Sequence, residues 1–398
     1  MRTEKLSDDF TLSGVKTVTP QGVINKAQLK IIRGKIADIM GQKAISVTET
    51  FSASDPGDWL IPGLIDTHVH GAGGFDTMDG EAPALRGMAK MLLRLGTTAF
   101  LATTMTTTDQ VLEKALRAVG NYTITAPVLE EAECLGVHLE GPFIHSEYAG
   151  AQKKDLIQAA NPEKVNDYVK WSRNTLRIFT LAPEIPDAEE LIKSCQVHEI
   201  IVSAGHTSAT WTDAQRAQQS GIAHVTHGFN AMHPLHHREP GLIGWALSEP
   251  SVWIEMIADG IHVHPATLRL AYRLKGSEKM LLISDGTRAV GLEDGEYELG
   301  TQRVWVKDGC ARLANGTLAG SRTSLLDGVK TMILKALVPV HEAVNMASIV
   351  PAKLLGIDSR VGSLEVGKDA TFLKLDSSWD LKEVWVRGKM AWKGSLGD

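Results

Sequence analysis

Eight short apolar runs between Trp59 and about Gly356 alternate with segments of helical periodicity, and this alternation restricts the fold more than any other feature. The runs are "LIPGLIDTHVH" from Leu60, "TTAFLATT" at 97–104, "CLGVHLEGPF" at 134–143, "LRIFTLAPE" at 176–184, "EIIVSAGHT" at 199–207, "AHVTHGFNAM" at 223–232, "VWIEMIADGIHV" at 252–263 and "KMLLISDG" at 279–286. Between them lie amphipathic stretches such as "APALRGMAKMLLRLG", "DQVLEKALRAVGNY" and "TDAQRAQQSG". Repeated strand–helix units imply a parallel sheet, because a strand reaches a parallel neighbour only through a crossover. Eight of them suit a (β/α)8 barrel. A doubly wound sheet is the alternative, but no G-x-G-x-x-G follows the first run.

The two ends of the chain read differently. "VKTVTPQGVINKAQLKIIRGKIADIM" near the start has β-branched runs broken by turn residues, and so do "GSLEVGKDATFLKLDSS" and "LKEVWVRGKMAWKG" near the end. The expected architecture is therefore α/β: a TIM barrel over residues 59–356, with a small β-sandwich domain built from residues 1–58 and 357–398.

A barrel places its chemistry at the C-terminal ends of its strands. Here strand one ends in His68 and His70, strand three in His138 and Glu140, strand five in His206, strand six in His227 and Asn230, strand seven in Asp259 and His262, and strand eight in Asp285. Turns favour Gly, Asn, Asp and Ser rather than His, so turn formation does not account for this series. Side chains two apart on a strand share a face. His68 and His70 therefore project together, with Val69 turned away, and two neutral imidazoles on one face can share a metal ion. The expectation is a metal-centred hydrolytic site.

Composition narrows the setting. The net charge of -6 argues against broad nucleic-acid or anionic-membrane binding. Cys134, Cys195 and Cys310 stand far apart, which fits free thiols in a reducing compartment. The start "MRTEKLSDDF" has no apolar core of a secretory signal, and no run is long enough to span a membrane, so a cytoplasmic protein is expected.

The ordered series "DTHVHG", "HLEGPF", "GHT", "THGFNAM", "HHREPG", "ADGIHVHP", "SDG" and "LAGS" resembles the N-acetylhexosamine-6-phosphate deacetylases of the amidohydrolase superfamily. The likeness runs from about residue 60 to 375. It implies metal-dependent hydrolysis of the acetamide of N-acetylglucosamine 6-phosphate, with the galacto epimer as the alternative. Another amidohydrolase chemistry, on a cyclic amide or by deamination, is more distant.

By this resemblance Glu140, His206 and His227 hold the principal divalent ion, zinc in the first instance and iron(II) in the second. His68 and His70 form a second site with Glu140 bridging, so one or two ions bind per subunit. Asp285 matches the general acid/base, and His262 matches a histidine beside the substrate carbonyl. Asn230 and Ala231 match the phosphate holders, Ala231 through its backbone N–H. Arg238 matches an arginine offered from the neighbouring subunit, which implies a homodimer. His237 lies in the same loop, close to the phosphate or sugar.

The chain leaves the family pattern twice. Gln152 stands where a substrate-facing His is usual, within the run "HSEYAGAQ", and is expected to bind the substrate with an amide that donates or accepts but cannot become cationic, so that sugar recognition differs. After Asp285 the chain reads Gly286-Thr287-Arg288 where the family has Ala and then Met or Thr, and Arg288 is expected either to meet an anionic group or to sit in a salt bridge.

Overall fold

The computed structural model describes residues 9–46, 57–125 and 127–394. All eight expected barrel strands form, and they lie side by side in chain order: Leu64–Val69, Thr97–Thr103, Glu133–Glu140, Leu176–Leu181, Ile201–Ala204, His224–Val225, Trp253–Ile257 and Met280–Ile283. Every neighbouring pair is parallel. A parallel bridge between Val69 and Gly286 and the bond from Asp285 N–H to His68 O at 2.9 Å close the ring between strands eight and one.

Helices cover the outside. Ala82–Arg94 shows why such segments fold as they do: Leu85, Met88, Ala89, Leu92 and Leu93 are buried at the spacing of a single helix face. Strand two is buried along its whole length, as a strand enclosed on both faces must be.

The termini build a second, seven-stranded sheet in the order Lys389–Lys393, Leu381–Val386, Phe372–Leu375, Trp59–Pro62, Phe10–Thr19, Gly22–Ile32, Lys35–Met40. The sheet curls on itself. Phe10 and Trp385 stand on strands with two others between them, yet their rings are 4.8 Å apart. A bridge from Lys35 to Asp369 joins the far sides. Val15, Leu29, Ile31, Leu60 and Phe372 fill the enclosed core.

Two features differ from the sequence reading. The run from Trp59 is two strands, not one: Trp59–Pro62 pairs in the terminal sheet and Leu64–Val69 in the barrel. Gly63 lies at the crossing, where a Cβ would stand 2.3 Å from Thr98 Oγ1. Secondly, after strand eight the chain inserts a three-stranded antiparallel sheet, Gly295–Leu299, Gln302–Lys307 and Cys310–Arg312, in place of a direct passage to the next helix. Leu299, Val304, Val306 and Ala311 pack it against Met105 and Ala289, over the C-terminal mouth of the barrel.

Candidate active site

The barrel mouth opens into a cavity of about 210 Å³ that His70, Glu140, Gln152, His262, Asp285 and Leu299 help to line. Backbone geometry aims several of these side chains inward. His206, His227, Ala231 and Asp285 each follow a strand and adopt positive φ, at 48°, 30°, 49° and 47°. A non-glycine residue held there costs roughly 1–3 kcal/mol, which the surrounding bonds must outweigh. The backbone around Asp285 is tied on both sides: Gly286 O accepts from His70 N–H and Gly71 N–H at 2.8 and 2.9 Å, and Asp285 O accepts from Ser321 N–H at 2.8 Å.

Glu140 is the hub. Its Oε1 lies 3.1 Å from His227 Nε2 and 3.2 Å from His206 Nε2, and those two nitrogens are 3.1 Å apart. A tetrahedral shell with ligands at about 2.0–2.1 Å has edges of about 3.3–3.4 Å, close to this triangle. His68 Nε2 lies 3.4 Å from the same oxygen and His70 Nε2 3.5 Å from Oε2. Asp285 Oδ1 is 3.2 Å from His70 Nε2 and 3.5 Å from His68 Nε2. Two donor triads thus share one hollow, Glu140–His206–His227 and His68–His70–Asp285.

Several observations fit these donors to divalent cations. His68 Nε2 is buried without a hydrogen-bond partner among the described residues. His206 Nδ1 donates to Tyr148 O at 2.9 Å, which leaves Nε2 as the ring nitrogen turned to Glu140. His68 Nδ1 lies 3.1 Å from Glu255 Oε2, the carboxylate–imidazole pairing that orients metal-ligating histidines. Burial alone would raise the Glu140 pKa, but the charges of His206 and His68 hold it well below the carboxylate range. Burial likewise opposes protonation of His68, and Glu140 reverses this and raises its pKa well above the usual value.

Sequence reasoning missed Glu255. It is fully buried in strand seven, and burial alone would raise its pKa, yet the bond and charge of His68 hold it at about 2. Its signal was legible: one carboxylate within the apolar run "WIEMI". Beneath the site runs a buried polar chain that was also unforeseen. His224 Nδ1 donates to Ser203 Oγ at 2.8 Å, Ser203 to Thr226 at 2.5 Å, Thr226 to Thr180 at 2.7 Å, Thr180 to His138 Nε2 at 2.7 Å, and His138 Nδ1 to Thr67 O at 2.9 Å. The carbonyl at one end fixes every donor's direction, because it can only accept. Both His138 ring nitrogens are thus taken up by Thr67 and Thr180, and burial and the charge of His68 lower its pKa to about 3.

Gln152 lines the cavity, but its amide is turned onto Glu140. Arg288 forms the salt bridge alternative: it pairs with Asp79 at 3.1 Å and donates to Glu298 O and Gly74 O at 2.8 and 3.2 Å, clasping the inserted sheet to the loop after strand one. At 286 a Cβ would lie 2.8 Å from Val290 Cγ2, so glycine replaces the family's alanine where Val290 crowds the turn. Asn230 and Ala231 line the cavity. The Asn230 amide braces its own loop at Gly228 O, 3.2 Å away, and the Ala231 N–H has no protein acceptor among the described residues. His237 and Arg238 do not line this chain's cavity; they are exposed and meet each other at 2.8 Å.

His262 lines the cavity too, and its Nδ1 is 2.7 Å from Asp259 Oδ2. Burial works against its protonation, but the bond and charge of Asp259 prevail and raise its pKa above 6.5. Asp259, which burial alone would raise, is lowered below 3.8 by the same pair. The pair's stabilisation is therefore complete between these ordinary values, lost as pH rises through the raised His262 pKa, and lost as pH falls through the lowered Asp259 pKa. Asp259→Asn should cost more stability at pH 5.5 than at pH 9, read as the shift in urea midpoint at each pH.

Comparison with known proteins follows the same lines. The amidohydrolase family model matches residues 59–391. An N-acetylglucosamine-6-phosphate deacetylase of Bacillus subtilis is 38% identical over 99% of this chain and 100% of its own. An N-acetylgalactosamine-6-phosphate deacetylase of Escherichia coli O157:H7 is 35% identical over 94% of this chain and 97% of its own. The solved N-acetyl-D-glucosamine-6-phosphate deacetylase of Mycobacterium smegmatis, a mutant in complex with N-acetyl-D-glucosamine-6-phosphate, superposes with a TM-score of 0.88 at 26% identity, covering 96% of this chain and 99% of that one.

Proposed function

Because the chain belongs to the amidohydrolase family, among its N-acetylglucosamine-6-phosphate deacetylases, we propose that it hydrolyses the acetamide of N-acetylglucosamine 6-phosphate to glucosamine 6-phosphate and acetate, in amino-sugar catabolism. The observation that carries this reading is the convergence of Glu140, His206, His227, His68, His70 and Asp285 at the mouth of one barrel. The galacto epimer is the second reading, because a relative of nearly the same identity bears that name. Strand four, Leu176–Leu181, has no lysine to serve as a carbamylated ligand, which weighs against the cyclic-amide hydrolases.

Glu140, His206 and His227 would hold the principal ion, zinc or iron(II), and His68 and His70 a second. A divalent cation, when bound, supplies Lewis acidity that polarises a carbonyl and acidifies water. Asp285 takes the proton of the attacking water and returns it to the sugar nitrogen as the C–N bond breaks. Acetate leaves with the water's oxygen, and the amine leaves protonated. His262, held at Nδ1 by Asp259, turns Nε2 toward the carbonyl oxygen. The Asn230 loop and the Ala231 N–H hold the phosphate, and His237, which does not line this chain's own cavity, would approach it beside Arg238 from the neighbouring copy.

Arg238 completes that grip from the neighbouring copy of a cytoplasmic homodimer. The catalytic barrel is assigned to 59–356, less Trp59–Pro62, which pair in the terminal sheet, and the small domain to 1–58 with 357–398, of which 1–8, 47–56 and 395–398 lie outside the described residues. A charge-assisted hydrogen bond contributes about 1.5–3 kcal/mol, so Arg238→Ala should raise KM for the phosphorylated sugar about 10–100-fold. The unphosphorylated sugar's KM should stay the same. Steady-state kinetics on both sugars check this.

The decisive experiment follows acetate release from the 6-phosphates of N-acetylglucosamine and N-acetylgalactosamine, with and without chelation. A fully demetallated enzyme that keeps its full rate overturns the reading. Faster turnover of the galacto epimer selects the second one.

A further inference from the structure

Gln152 is 5% exposed and is bonded at both ends of its amide. Its Oε1 accepts from the backbone N–H of Thr106 at 2.8 Å, and its Nε2 donates to Glu140 Oε2 at 2.5 Å. The Thr106 N–H can only donate, which fixes the amide with its oxygen toward Thr106 and its nitrogen toward Glu140. Thr106 follows barrel strand two and Glu140 ends strand three, so the amide links two neighbouring strand ends.

The consequence concerns the last torsion of Glu140. That torsion is broad in glutamate, so rotamer preference does not hold the carboxylate plane. The plane matters here because the two oxygens have different surroundings. Oε1 faces His227, His206 and His68 at 3.1, 3.2 and 3.4 Å, while Oε2 faces His70 at 3.5 Å. A turn of the carboxylate would take Oε1 out of the triangle it forms with His206 and His227. Among the described residues, Gln152 is the one hydrogen-bond donor to Glu140 that is not an imidazole. Being neutral, it orients the carboxylate without adding charge to oppose a cation. A carboxylate oxygen also has two lone pairs, so Oε2 keeps one to share beside His70.

We propose that Gln152 is a positioning residue that sets the plane of Glu140 and so strengthens divalent-cation binding, rather than a group whose first role is to touch the sugar. This rests on the metal-dependent reading above. The test uses the full chain, stripped of metal, as the parent and as Gln152→Ala and Gln152→Leu. The leucine keeps the volume of the side chain and guards against a packing defect in the alanine variant.

Zn²⁺ affinity is measured by competition with a chelating dye in the absence of any sugar, and the visible spectrum of the Co²⁺ form is recorded for each. Loss of a group that orients a metal ligand costs about 10–100-fold in affinity. Both variants should bind Zn²⁺ more weakly by that factor and show altered Co²⁺ bands with unchanged circular dichroism. Variants that match the parent's Zn²⁺ affinity within about twofold overturn the inference, most clearly if the sugar's KM rises instead. A parent that itself binds neither Zn²⁺ nor Fe²⁺ refutes the metal-dependent function; a parent that binds the ion, with variants that bind equally well, refutes only the role of Gln152.

Discussion

Asp285→Asn should lower kcat by about 10²–10⁴-fold, the usual contribution of a general acid/base, while the sugar still binds. Asn keeps the size of the side chain but cannot accept and return a proton. Burial alone would raise the Asp285 pKa, but the bond from His70 and the charges of His68 and His70 hold it at about 2. The group is thus ionised across the neutral range, as a base must be. Oδ1 also stands 3.2 Å from His70 and 3.5 Å from His68, so the same carboxylate borders the second donor triad. Steady-state kinetics together with metal content per chain check the expectation: kcat collapses, and the ion held by Glu140, His206 and His227 remains.

Glu140→Ala should abolish activity by a different route, through loss of the ion. Glu140 touches both donor triads, and no other carboxylate among the described residues approaches His206 and His227 in the same way. The contrast lies in stability. A ligand at 1,000 times its Kd that binds only the folded state stabilises it by about 4 kcal/mol. Thermal unfolding of the parent should therefore shift upward on addition of Zn²⁺, and that of Glu140→Ala should not. Asp285→Asn should retain the shift. A Glu140→Ala protein that still gains stability from Zn²⁺ would place the principal ion elsewhere.

The barrel was legible because its elements are local. A strand enclosed on both faces is a short apolar run, a surface helix shows a 3.6-residue period, and eight such pairs permit few arrangements. Residues that change register or sheet were not legible. Pro62-Gly63 in "WLIPGLI" is a local break signal, but nothing local tells that the chain there leaves one sheet for another; Thr98, thirty-five positions away, presses on the space a Cβ at 63 would take. The inserted sheet at 295–312 was missed for a similar cause, since its strands are short and polar on one face and owe their place to packing on Met105 and Ala289.

The sequence by itself determined which chemistry-bearing groups arrive at the strand ends, because the two-residue period of a strand fixes the face on which His68 and His70 appear. Only the tertiary structure decided what each group does once there. Gln152 turns to Glu140, Arg288 to Asp79, and Glu255 to His68, because each answers to a partner brought near by closure of the barrel or by the sheet laid over its mouth. Hydrogen bonds and ion pairs act over about 3 Å of space irrespective of distance along the chain, so a linear pattern carries the donors and acceptors but not their pairing.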